Sequence, residues 1–385
     1  MARKKRSWRI DPLLLGIVSL LVFLGILILA SVSASFSLLT FGTTYYFLNH
    51  QLLLGLLPGL VLGALVFFFA LPERIKKWSL VLLLLNILLL ILVFFPIIGS
   101  SEGAHRWIYV GSLSFQPSEL LKLTFILYLA SLLAKKLQQR GESKHKKAGL
   151  WNSLSQGKEV LFPFIAMTGI ISFLLVQQPD VSTLGVIGLT GIIMYFVAGT
   201  ALWHTPFMIL GGLGVLYLLV QLAPYRFSRL QVFLDPLLDP LGQGYQIKQA
   251  LIGIGSGGLT GIGLGLSFQK FGFLPEPISD SIFAVVAEEL GFLGASLLVV
   301  LFLLFAWRSF VLAKNIEDPF SRIATVGIAS WITLQAFVNM GSITGLLPLT
   351  GIPLPFISYG GSALVVELVA MGILLKLTSE SYTMN

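Results

Sequence analysis

Four carboxylates crowd into the stretch LPEPISDSIFAVVAEELGF, residues 274–292, of a chain that is otherwise mostly apolar. Glu276 and Asp280 stand just before an apolar run, and Glu288 and Glu289 lie inside it. A carboxylate poised at the edge of such a run has two uses. It caps a helix by accepting backbone N–H groups, or, standing near both bilayer and water, it meets the headgroup of a lipid-linked ligand. Asp280 is placed for either, although Ser279 would cap equally well. Glu288 and Glu289 have to face the interior, be protonated or pair with a cation. No His or Cys accompanies them, and the chain has no cysteine at all. That argues against zinc and excludes a thiolate nucleophile or a disulfide.

Other chemistry-bearing residues are scattered along the chain. QPSELLKL (116–123) places Glu119 and Lys122 at i, i+3, on one helix face. They fit a structural ion pair, a ligand contact, or both. Arg106 in GAHRWIYVG reads as an interfacial anchor or as a phosphate contact. Asp180 in QPDVSTLG is explained by helix capping alone. GIGSGGLTGIGLGLS (253–267) holds seven glycines but lacks the strand–turn–helix setting of a dinucleotide site. It reads as a closely packed or flexible loop, or as backbone amides near a diphosphate. The Pro- and Gly-rich TGLLPLTGIPLPFISYGGS (344–362), with Ser358 a candidate ligand contact, reads as a pocket wall.

The elements that must carry these residues are membrane spans. Of 385 residues, 56% are hydrophobic and 11% charged, and the mean hydropathy is +0.91. Soluble domains carry roughly 25% charged residues, so the chain reads as an all-α polytopic membrane protein. Apolar runs predict ten spans, at about 12–35, 48–71, 78–98, 117–137, 160–176, 182–198, 203–223, 281–306, 320–343 and 362–378. The first run is too long for a cleaved signal peptide. With both termini cytoplasmic, nineteen of the 25 Lys and Arg fall inside, five outside and Lys122 within a span. The positive-inside rule favours that orientation, and the net charge of +8 then reflects topology and anionic lipid, not nucleic acid. Residues 1–385 form one membrane domain with a basic tail (1–11) and a cytoplasmic loop (138–159). A large outer loop (224–280) between the seventh and eighth spans should fold back onto the membrane surface.

These motifs together resemble the SEDS family of shape, elongation, division and sporulation proteins, and lean towards its FtsW branch over RodA. The resemblance runs over almost the whole chain: RWIYVGSLSFQPSELLKL, QPD, YRFSRLQVFLDPLLDPLGQGYQIKQA, GSGGLTGIGLG, IFAVVAEELGFLG and GLLPLTGIPLPFISYGGS. It implies ten helices and polymerisation of lipid II at the outer face of the bacterial cytoplasmic membrane. It also implies a class B penicillin-binding protein as transpeptidase partner. The family's aspartate pattern P-E-A-H-T-D-F-I-F-A reads PEPISDSIFA here. Asp280 is thus the implied catalytic residue, with Ile278 and Ser279 replacing His and Thr. Ser182 stands where the family's QPDxGT expects glycine.

In that chemistry a sugar hydroxyl attacks an anomeric carbon bearing a polyprenyl diphosphate. Asp280 would take the hydroxyl proton in a single inverting displacement. The departing diphosphate gathers negative charge. Arg106, Lys122, Arg226, Lys248 and Lys270 are the cations on offer, with Glu119, Glu276 and Ser358 as further substrate contacts and a divalent Mg or Mn as an optional helper. Two other functions fit some of the same residues. A lipid II flippase would line its path with Glu119, Lys122, Glu288 and Glu289; a noncatalytic scaffold would only position a partner.

Overall fold

The computed structural model describes residues 10–95, 106–110, 113–142, 150–199, 210–212, 214 and 224–379. Most of the expected seventh span, most of the basic tail, His105 and residues 143–149 lie outside the described residues. The helices are α1 (Pro12–Phe41), α2 (Tyr46–Phe69), α3 (Pro72–Leu92), α4 (Pro117–Glu142), α5 (Leu150–Gln177) and α6 (Val181–Val197). After these come α7 (Pro224–Leu234), α8 (Gln243–Ser256), α9 (Ile282–Lys314), α10 (Pro319–Ile343) and α11 (Gly361–Ser379). Among the described residues, seven helices are long and apolar enough to cross a membrane, and 161–177 and 181–197 are shorter apolar helices. The protein is a multi-pass, mostly helical membrane protein, with one small antiparallel hairpin among the described residues, Ile108–Val110 against Leu113–Phe115.

Helix ends follow local chemistry. Asp11 Oδ1 accepts from the Leu14 amide at 2.8 Å, and Pro12 occupies the first helical position, where it gives up no hydrogen bond. The same Asp11 carboxylate pairs with Arg308, fastening α1 to the far end of α9. Helix α1 runs beyond the expected 35 to Phe41, where Gly42 closes it in the left-handed region (φ 69°). Helix α3 starts at Pro72, not 78: charged Glu73, Arg74 and Lys77 are exposed and continue the helix out of the apolar layer. Burial sorts the bundle. Helices α4, α10 and α11 are 78% buried over their apolar windows, whereas α2 and α3 are 22% buried and face outward.

Helix α9 is broken. Gly291 has φ 67° and ψ −167°, which separates a first piece, 282–290, from the remainder. Every residue of 282–289 is buried, while Phe292, Leu293 and Leu297 are exposed. The stretch from Phe292 to Lys314 is about 34 Å long at 1.5 Å per residue, enough to cross the hydrocarbon alone. A break leaves carbonyls and amides unpaired, and the glycine-rich segment supplies their partners. Ile262 and Gly263 amides donate to the Glu288 and Glu289 carbonyls at 3.0 and 3.1 Å, and Phe292 and Leu293 amides donate to Gly258 and Leu259 at 2.8 and 3.1 Å. Backbones can approach this closely only without side chains: a Cβ on Gly291 would meet the Leu259 carbonyl oxygen at 2.6 Å. The close-packing reading of 253–267 therefore holds, and the amides of Ile262 and Gly263 are committed to α9.

Candidate active site

Asp280 lies in the turn that leads into α9. The cap residue of that helix is Ser281, whose side chain makes no capping bond. It receives the Gln246 side-chain amide of α8 at 3.0 Å instead. Capping therefore does not account for Asp280. Its carboxylate is partly buried, with Ser279 Oγ at a long 3.4 Å and further hydrogen bonds from its own amide and from Gln246. Burial first, then the charge of Glu276, pushes the Asp280 carboxyl up to about 6 against those bonds. A base whose pKa lies near the working pH is at once largely ionised and willing to take a proton. Glu276 is exposed, with φ 51°, and accepts from Ser279 Oγ at 2.9 Å. Ile278, standing in the family's His position, is 6% exposed and packs into the core.

The turn is held from behind through three consecutive carbonyls. Tyr359 N donates to Ile278 O at 2.9 Å, Ser358 Oγ donates to Ser279 O, and Asn339 Nδ2 donates to Asp280 O at 2.7 Å. Ser358 also accepts from Leu354 N at 2.9 Å and is buried, so it braces the turn from within the protein. Gly351 is the opposing backbone: a Cβ there would sit 3.6 Å from Asp280 Oδ2. Next to it, Thr350 O accepts from Ser182 Oγ, a bond that glycine at 182 could not make. Arg106 donates to the carbonyls of Gln178 and Pro179, holding the QPD turn at the same end of the bundle. Asp180 accepts from Thr183 N at 3.3 Å and caps α6.

The remaining candidates separate into two buried networks and one exposed cation. Lys122 Nζ is 2.7 Å from Glu119 and 2.7 Å from Gln335 Oε1, and sits 5.3 Å from the Trp331 ring. Both charged side chains are nearly inaccessible, and the bond from Lys122 to Gln335 ties α4 to α10. Glu367 was not singled out from the sequence, yet it is 2% exposed and close enough to interact with both charges. It accepts from Phe356 N at 2.8 Å, holding a buried aromatic residue whose φ of 64° ordinarily suits glycine. In the second network Lys270 pairs with Glu289 at 3.1 Å and donates to Gly265 O, and Ser31 of α1 donates to Glu289 at 2.7 Å. Glu288 accepts from Ser267 Oγ and from the amides of Phe268 and Gln269. Lys122 and Lys270 are thus engaged inside the protein and are not presented with Asp280. Lys248 on α8 is exposed. Arg226 lies in α7, but its side chain falls outside the described residues. No group of three or more His, Asp or Glu residues is placed to hold a metal ion among the described residues. Glu276 and Asp280 supply only two carboxylates, too few for an all-protein cage but compatible with a Mg or Mn ion carried on a substrate diphosphate.

The cell cycle protein family FtsW/RodA/SpoVE matches residues 11–383. The chain belongs to this family. Stage V sporulation protein E of Bacillus subtilis is 39% identical, over 99% of this chain and all of that protein. A Coxiella burnetii protein named probable peptidoglycan glycosyltransferase FtsW is 41% identical over 97% of this chain and 98% of its own length. Among solved structures, one described as coordinating polymerization and crosslinking in a peptidoglycan synthase complex matches with a TM-score of 0.75. That chain is 30% identical and 98% covered, against 97% of this one. The Thermus thermophilus rod shape determining protein RodA matches with a TM-score of 0.69 at 27% identity, covering 98% of this chain and 99% of that one. The FtsW/RodA/SpoVE membership and the likeness to RodA bear out the resemblance read from the motifs.

Proposed function

We propose that the protein is a peptidoglycan glycosyltransferase that polymerises lipid II at the outer face of the bacterial cytoplasmic membrane, with Asp280 as general base. The observation that carries this reading is the Asp280 carboxylate itself. It is partly buried, raised to about 6, unused by the helix cap and faced by glycine backbone at 351. The acceptor sugar hydroxyl gives its proton to Asp280 as its oxygen attacks the anomeric carbon, and the C–O bond to the polyprenyl diphosphate breaks with inversion. Exposed Lys248 and the Arg226 and Arg106 region are the proposed partners of the leaving diphosphate. A Mg or Mn ion, where present, would be held chiefly by the diphosphate and would offset its charge. The polymerase-named relatives and the synthase-complex neighbour support the activity and a class B penicillin-binding protein as partner. Of the residues a flippase would need along its path, Glu119 and Lys122 are paired with each other, Glu289 with Lys270, and Glu288 with Ser267 and backbone amides, which favours the polymerase over the flippase.

The test is Asp280→Asn, purified with and without its transpeptidase and supplied with lipid II. Polymerisation should fall by roughly 100- to 10,000-fold, with folding and lipid II binding kept. Near wild-type polymerisation by that variant would remove Asp280 from the mechanism.

A further inference from the structure

We propose that Asn339 is a positioning residue: it holds the backbone of Asp280 so that the carboxylate keeps its aim. Asn339 projects from α10 and is 1% exposed. Its single Nδ2 group donates to Asp280 O at 2.7 Å and to Ile352 O at 2.8 Å. One amide thereby joins the turn carrying the carboxylate to the segment that faces it. Both acceptors are carbonyls, so only the NH2 end of the side chain serves; turned over, the amide would set oxygen against two oxygens.

The other end of the side chain argues that this is more than packing. Asn339 Oδ1 is buried and has no hydrogen-bond partner among the described residues. A buried acceptor left unpaired costs stability, and an apolar side chain of similar size would avoid that. The carboxylate has Ser279 Oγ at a long 3.4 Å, with its own amide and Gln246 as its other partners. These contacts act on a side chain whose starting direction is set by the peptide that carries it. A hydrogen bond to Asp280 O fixes the plane of the peptide linking 280 to 281, and with it the direction of the side chain. A misplacement of about 1 Å in such a group costs on the order of 100-fold in rate.

The inference rests on the reading of Asp280 as base, and the test keeps the two apart. Asn339→Ala, purified with its transpeptidase, is compared with wild type for kcat and KM on lipid II and for the pH dependence of kcat. The expected result is a kcat loss of about 10- to 100-fold with KM nearly unchanged. The acid limb should also move to lower pH, because a released carboxylate turns towards water. Asn339→Ser keeps one short donor and decides the matter if the alanine variant does not fold; it should show the same pattern, less severely. A folded variant with wild-type kcat overturns the inference, and so does a kcat loss with the acid limb in its original place. If Asp280→Asn is inactive while Asn339→Ala is fully active, only the positioning role falls. If Asp280→Asn is itself active, the general-base reading falls first.

Discussion

Glu276 and the burial of Asp280 together set a pH dependence that is open to direct measurement. The Asp280 carboxyl is raised from 3.8 to about 6. With that value roughly nine tenths of the molecules carry the ionised base at pH 7 and roughly one tenth at pH 5, so kcat/KM should fall about tenfold between them. Because the Glu276 charge is the second cause of the shift, Glu276→Gln should move the acid limb to lower pH. Stability supplies an independent arm. A carboxyl raised by burial binds its proton more tightly in the folded state, so the folded state loses stability as pH rises from below 3.8 through about 6. At neutral pH the penalty is on the order of 2 to 3 kcal/mol, an upper bound because the group is only partly buried. Asp280→Asn removes the ionisation and should melt higher than wild type at pH 7.5, with the advantage shrinking towards pH 4. The assay is labelled lipid II polymerisation from pH 4.5 to 8.5, beside thermal melts of both proteins over the same range. A rate that stays flat down to pH 5, or a melting advantage that grows on acidification, would refute the reasoning.

Three further outcomes follow from the fold. Lys122→Met strands buried Glu119 and should destabilise the protein by about 3–5 kcal/mol; adding Glu119→Gln should recover most of the folded yield, as read by size-exclusion chromatography. Gly291→Ala forces a Cβ into the Leu259 carbonyl at a left-handed φ of 67°, so little folded protein should be obtained; a normal yield and melting temperature would show that α9 is not broken there. Because the chain lacks cysteine, Leu241→Cys, at a 92% exposed position, should label only from outside the cell, and Lys314→Cys only from the cytoplasm. Labelling from the reverse sides would overturn the proposed orientation and move Asp280 away from the outer face.

What the sequence determined by itself was whatever depends on neighbours in the chain. Apolar runs longer than the bilayer is thick announce spans whatever they pack against, and the start of α1 was legible in Asp11-Pro12, a cap and a first-turn proline within two residues. The ion pair of Glu119 and Lys122 follows from a spacing of three on one helix face. Asp280 was reached by its place before an apolar run and by the motif around it. Tertiary structure decided everything whose partner is distant in the chain. Nothing near residue 339 signals that its amide holds a carbonyl 59 positions away. Ser358, expected against substrate, braces Ser279 from 79 positions away, and Lys270, expected against diphosphate, is taken by Glu289. Nothing in the sequence marks Glu367 as the acceptor for the backbone amide of Phe356. The break in α9 was hidden as well, because an apolar run reads the same whether its helix is continuous or interrupted. Which buried polar groups meet is set by the packing of helices that hydropathy treats as equivalent, since burial obliges each such group to find a partner without specifying which one.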